Sequence, residues 1–209
     1  MKVFFLAVLM FLPAWVCAEE NPSTLVRDTS EQVRTILMKE NGSNTDVVRA
    51  EVEQLIFPRF DFLRMTALAV GKNWKQADEA QKQALIAEFR TLLTRTYFSV
   101  MLRYRDVKVV IKPDVLLENE GKQATVKTQV DVANGTPPVS IDYVLYHTAE
   151  GWKVFNVSVE GASLVTVYRN QFGDEVSKGG VEGLLQSLRS KNQASATQSA
   201  DAAVAPSKS

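Results

Sequence analysis

The hydrophobic period of this 209-residue chain switches once and then switches back, and that pattern restricts the fold more than any other feature. From Asp78 to Tyr104 the residues Leu85, Ile86, Phe89, Leu92, Leu93, Tyr97, Val100, Met101 and Tyr104 recur at spacings of three and four. That spacing places apolar side chains along one side of a helix. At 1.5 Å per residue such a helix is about 40 Å long, so its far end either projects from a small core or covers something. From Val107 the period becomes two. Val107, Val109 and Ile111 alternate with Lys108 and Lys112, and after Asn119-Glu120-Gly121 the residues Ala124, Val126, Val130 and Val132 alternate with Lys127, Gln129 and Asp131. Asn134-Gly135 with Pro137-Pro138 marks a loop. Val139, Ile141, Tyr143 and Leu145 follow, then Glu150-Gly151, then Trp152 to Val159. These runs predict an antiparallel meander of about four strands.

Helices flank the meander. Thr24 to about Lys39 carries Leu25, Val33, Ile36 and Leu37 on one face; a second helix runs from about Asp46 to Phe57, capped by Asn44 or Thr45 and stopped by Pro58. A short apolar helix runs from Phe62 to Val70 and ends at Gly71. After Gly161 helix returns over Ser163 to Phe172 and again from about Val181 to Leu188. From Lys191 the Ala, Ser, Gln and Lys composition lacks a hydrophobic face, which predicts a disordered tail over residues 191–209. Segregated helices and strands define an α+β fold with helices packed on one sheet face. No internal repeat or linker divides residues 19–190, which read as one domain.

The N-terminus reads as a secretory leader over residues 1–18. Lys2 precedes an apolar run from Val3 to about Leu12, Pro13 breaks it, and Val16 and Ala18 fit the −3 and −1 positions of a signal-peptidase site. The run is too short to cross a membrane, which takes about 20 apolar residues. Bulky Trp15 and branched Val16 argue against lipidation at Cys17. Cleavage after Ala18 removes the only cysteine, so the core alone must hold a domain destined for an oxidising compartment. The 24 basic and 24 acidic residues balance, which argues against a nucleic-acid binder.

No catalytic constellation emerges. His147 is the only histidine and lies at a strand end; with no cysteine to pair with, it excludes a Cys–His pair and most histidine-containing metal sites. A glycine-rich phosphate loop is absent. No cofactor or metal is expected. Asp61, between Phe60 and Phe62, reads first as the N-cap of the helix that follows and second as a proton-transfer group. The strands carry apolar residues on both alternations, with Val154 on one side of the last strand and Phe155, Val157 and Val159 on the other.

Two stretches resemble a known family. One is Pro58-Arg59-Phe60-Asp61-Phe62, then Gly71-Lys72-Asn73-Trp74 and the long helix with Phe89, Leu92, Leu93 and Tyr97. The other is Trp152-Lys153-Val154-Phe155-Asn156-Val157-Ser158-Val159-Glu160-Gly161-Ala162-Ser163-Leu164-Val165, then Tyr168-Arg169-Asn170-Gln171-Phe172. Together they resemble the MlaC, or toluene-tolerance auxiliary, family of periplasmic phospholipid-binding proteins, from about Leu25 to Leu188. Asn156 stands where the family usually has Asp, Ala162 where Val is usual, and Val70 where Leu commonly precedes the glycine.

The resemblance implies an NTF2-like shape with an acyl-chain cavity. It also implies a monomeric shuttle that takes phospholipid from an outer-membrane lipoprotein–porin complex to an inner-membrane ABC transporter complex with a lipid-binding subunit. On that reading outer-membrane lipid asymmetry is maintained without any chemistry. Two acyl chains of roughly 30 methylenes, at about 0.8 kcal/mol each, gain about 25 kcal/mol relative to water. A bilayer offers about the same, so the carrier cannot itself impose direction. A pocket of about 1,000 Å³ is expected, lined by Phe62, Met65 and Leu68; Leu93, Tyr97 and Met101; Tyr143 and Leu145; Val154; and Leu164, Val167 and Tyr168. A bulky or charged change at Leu145 or Val154 is expected to reduce co-purified lipid without unfolding the protein. No spaced basic cluster marks a phosphate site, and Arg103 and Arg105 beside Tyr104 read as a solvated helix end. The competing readings are a periplasmic adaptor or chaperone, and an NTF2-like enzyme using Asp61 or Glu160 with a tyrosine.

Overall fold

The structure, a computed structural model, describes residues 21–131 and 137–204. The leader and residues 132–136 of the Asn134-Gly135 loop lie outside the described residues.

Local chemistry sets each helix start. In α1 (Pro22–Leu37), Asn21 accepts a hydrogen bond from the Ser23 amide at 2.9 Å, and Pro22 sits where its missing N–H costs nothing. α2 (Thr45–Ile56) gives way to a 3-10 turn, Phe57–Arg59, at Pro58. α3 (Phe62–Val70) is capped by Asp61, whose carboxylate accepts from the Arg64 amide at 2.8 Å. α4 (Glu79–Arg103) opens on a reciprocal capping box. The Gln81 amide donates to Asp78 at 2.8 Å and the Asp78 amide donates to the Gln81 side chain at 3.1 Å.

The sheet is an antiparallel meander in the order β1-β2-β3-β4-β5, over Val109–Glu118, Gln123–Val130, Val139–Thr148, Gly151–Val159 and Ala162–Ser163. The two-residue β5 is one strand more than the pattern predicted; it is too short to show a period. β1 continues beyond Lys112 because the register shifts between Ile111 and Val115, where Pro113 falls. A bulge tolerates a residue with no N–H to give the ladder.

Three apolar clusters organise the packing. α1 lays Leu25 and Val26 on the inner sheet face against Ala124, Val126, Leu145, Trp152 and Val154. α3, α4 and α5 enclose Met65, Leu85, Phe89, Phe172 and Leu184, and Phe155, Val144 and Tyr146 join this cluster at the β4 edge. The helices therefore reach both faces there, rather than one as expected. A third cluster joins Leu37, Val48, Val52 and Phe98 of α1, α2 and α4.

α5 (Leu164–Val204) is two helical runs joined at Gly179 and Gly180, where Gly180 has φ 64° and ψ −166°. The prediction of disorder from Lys191 fails at the start of that segment. Asn192 is buried, and its amide donates to the Glu88 carbonyl at 3.0 Å and the Glu88 carboxylate at 2.7 Å, while Arg95 donates to the Asn192 carbonyl. Polar partners on α4 hold this turn, so a search for a hydrophobic face could not find it.

Candidate functional site: an apolar cavity between sheet and helices

The far half of α4 covers a cavity of about 670 Å³. Its walls come from three directions. The inner sheet face gives Val109, Val130, Val139, Ile141, Tyr143, Val154, Val157 and Val159; α4 gives Leu93, Tyr97, Val100 and Met101, and its C-cap gives Tyr104; α1 gives Leu25, Val26, Val33 and Leu37. Phe62 and Met65 from the α3 start, with Phe60 just before it, and Leu164 and Val167 from the α5 start complete the wall. The volume lies within the range of small-molecule sites, about 300–1,000 Å³, and below the 1,000 Å³ expected.

The cavity has a closed floor and an open rim. Val26, Phe62, Met65, Leu93 and Val154 are buried, whereas Val100 and Val167 keep 48% and 42% of their surface exposed. Arg34 and Arg105 also line the cavity and reach solvent. Arg105 donates to Glu40 at 2.9 Å. The Thr45 hydroxyl, the Gly42 amide and this guanidinium hold the Glu40 carboxyl below its usual range.

Nine of the twelve residues expected in the pocket line the cavity: Phe62, Met65, Leu93, Tyr97, Met101, Tyr143, Val154, Leu164 and Val167. Three do not. Leu145 has no exposed surface and fills the core beneath α1. Leu68 packs against the cluster of α3, α4 and α5, and Tyr168 packs in that cluster with its ring 4.9 Å from Phe89. Helical period placed Leu68 and Tyr168 on apolar faces, but those faces meet other helices. α1 is absent from the expected lining; Leu25, Val33 and Leu37 recur at helical spacing, but that pattern does not separate a core face from a cavity wall.

Tyr143 joins the two walls. It is half-buried on β3 with the Ser30 hydroxyl of α1 as its hydrogen-bonding neighbour, and burial pushes its pKa up to about 12. The Ser30 hydroxyl itself donates to the Val26 carbonyl at 2.7 Å. The residues weighed for acid–base chemistry make contacts within the fold. Asp61 is the α3 cap, and its amide donates to the Val154 carbonyl at 2.8 Å. Glu160 accepts from the Ser140 amide in a turn. His147 stacks edge-on against Trp152 at 5.0 Å. A smaller groove of about 260 Å³ between α2 and α4 is lined mainly by polar and charged residues, among them Asp46, Arg49, Glu53, Arg90 and Arg95. Among the described residues no helix is long and apolar enough to cross a membrane.

Fold and cavity together define an α+β domain built round an apolar internal site. Residues 27–190 match the family model described as MlaC protein, and the chain belongs to the MlaC family. It is 24% identical over 179 residues to the toluene tolerance protein ttg2D of Pseudomonas putida, covering 84% of this chain and 82% of that protein. It is 33% identical to a phospholipid-binding protein from Ralstonia solanacearum solved in complex with a phospholipid, with a TM-score of 0.73 over 85% of this chain and 99% of that one.

Proposed function

We propose that this protein is a periplasmic phospholipid carrier, holding acyl chains in the cavity and moving lipid between an outer-membrane lipoprotein–porin complex and an inner-membrane ABC transporter complex. The observation that carries the reading is the 670 Å³ apolar cavity with a buried floor and an exposed rim. An amphiphile needs such a shape, because its tails gain by leaving water and its headgroup loses. The leader read from the sequence, family membership and the phospholipid bound by the Ralstonia relative support it.

The energetics suit a shuttle. Tails leave a bilayer for a cavity of comparable apolarity, so transfer is nearly balanced and each membrane partner can load or unload the protein. A carrier serving two membranes must diffuse between them, which requires cleavage after Ala18 rather than a lipid anchor at Cys17.

Transfer of a fluorescent phospholipid from donor to acceptor vesicles tests this. The mature protein should accelerate exchange equally in both directions without nucleotide. No acceleration, with lipid remaining in the donor, contradicts it.

A further inference from the structure

Three arginines line the cavity, and two are committed. Arg105 is paired with Glu40, while Arg59 donates to the Leu55 carbonyl at 2.6 Å and to Gln32 at 3.3 Å. Arg34 differs. Its Nε is buried without a hydrogen-bond partner, and its nearest carboxylate, Glu31, lies 4.0 Å from Nη1. Its side chain keeps 30% of its surface exposed, which places it at the rim rather than on the floor. A buried donor of a charged group left without a partner in a native fold calls for one. The guanidinium fork is suited to a phosphate, which it can grip through two parallel N–H donors.

A second orphan lies on the same wall. The Thr29 hydroxyl is also buried and without a partner, five residues earlier on α1. Five residues advance a helix by about 7.5 Å. Two unmet polar groups separated along an apolar wall match an amphiphile with two polar parts, an anionic head and an ester linkage to its tails.

On the carrier reading above, we propose that Arg34 binds the phosphodiester of the bound lipid and that the Thr29 hydroxyl donates to an acyl ester. Phosphate, rather than tail length alone, then selects what enters. Such a site needs no spaced basic cluster, only one arginine, on a helix other than the one that ends at Arg103.

The test uses lipid-free full-length mature protein and phosphate-free dodecyl maltoside micelles doped with a tail-labelled phosphatidylglycerol or a diacylglycerol bearing the same label. Arg34→Gln should weaken phosphatidylglycerol capture about tenfold or more, the scale of one charge-assisted hydrogen bond, and leave diacylglycerol capture unchanged. The diacylglycerol arm also reports whether the variant is folded. Equal loss of both lipids, or no loss of either, overturns the Arg34 assignment while the carrier reading stands. Loss of inorganic phosphate binding with unchanged lipid selectivity also overturns it, because the site then takes free phosphate. Wild-type protein that captures neither lipid overturns the carrier reading and this assignment together.

Discussion

Val154 and Val157 line the same cavity although they stand three positions apart on β4. The β3–β4 register explains it. Val144 pairs with Asn156 and Leu145 with Val154, which leaves Phe155 as the extra residue of a bulge. The slip reverses the alternation, so Val154, Val157 and Val159 face inward while Phe155 joins the α3–α5 cluster. Strict alternation had put Val154 opposite Val157 and Val159, and a one-residue slip exchanges faces in this way.

This geometry separates binding from stability. Val157→Trp should fill the cavity and abolish lipid loading while the thermal midpoint stays within a few degrees. Leu145→Ala should cost about 2–5 kcal/mol, as buried leucine truncations do, with lipid lost only as the protein unfolds. Lipid extraction alongside urea unfolding checks both. The expectation that Leu145 and Val154 behave alike is corrected: Leu145 is wholly buried beneath α1, and Val154 is on the cavity wall.

Much of the fold was legible because period and punctuation agreed. α3 begins at Phe62 and ends at Val70 as predicted, since Asp61 caps it and Gly71, with φ 64°, stops it. The site was less legible. Apolar spacing shows that Leu68, Leu145 and Tyr168 are inside, but a packed interface and a cavity wall select for the same residues. α1 illustrates the converse, because Thr29, Ser30 and Arg34 interrupt its stripe and only the facing sheet gives them meaning.

Asp61 distinguishes a cap from a catalytic acid. Asp61→Ala should lower stability by about 1 kcal/mol, and Asp61→Asn by a few tenths, because asparagine caps nearly as well. Lipid transfer should survive both changes. Chemical denaturation with the vesicle assay checks this; loss of transfer in a folded Asp61→Asn protein contradicts a purely structural role.

Tyr143 makes stability fall in alkali. Burial raises its pKa to about 12, and burial with Tyr97 nearby raises Tyr168 to about 12. Below about pH 10 both folded and unfolded chains hold these protons and stability is complete. Between about pH 10 and 12 the unfolded chain ionises first, so stability falls by up to about 1.4 kcal/mol per unit for each tyrosine. Tyr143→Phe should flatten that fall in urea titrations at pH 9 and 11; an unchanged slope contradicts it.

Gly180 joins the two runs of α5 in a conformation that other residues rarely adopt. A Cβ there meets nothing within 4 Å, so Gly180→Ala should cost only backbone strain, about 1–3 kcal/mol. Gly179→Ala, at φ −138°, should cost less. Paired denaturation curves measure the difference.

Native mass spectrometry of mature protein purified from cells reads lipid carriage without an added probe. A bound mass that solvent extraction identifies as phospholipid is expected, present in wild type and absent from folded Val157→Trp. An empty wild-type protein holding a stable protein partner, or a full lipid load in Val157→Trp, would contradict it.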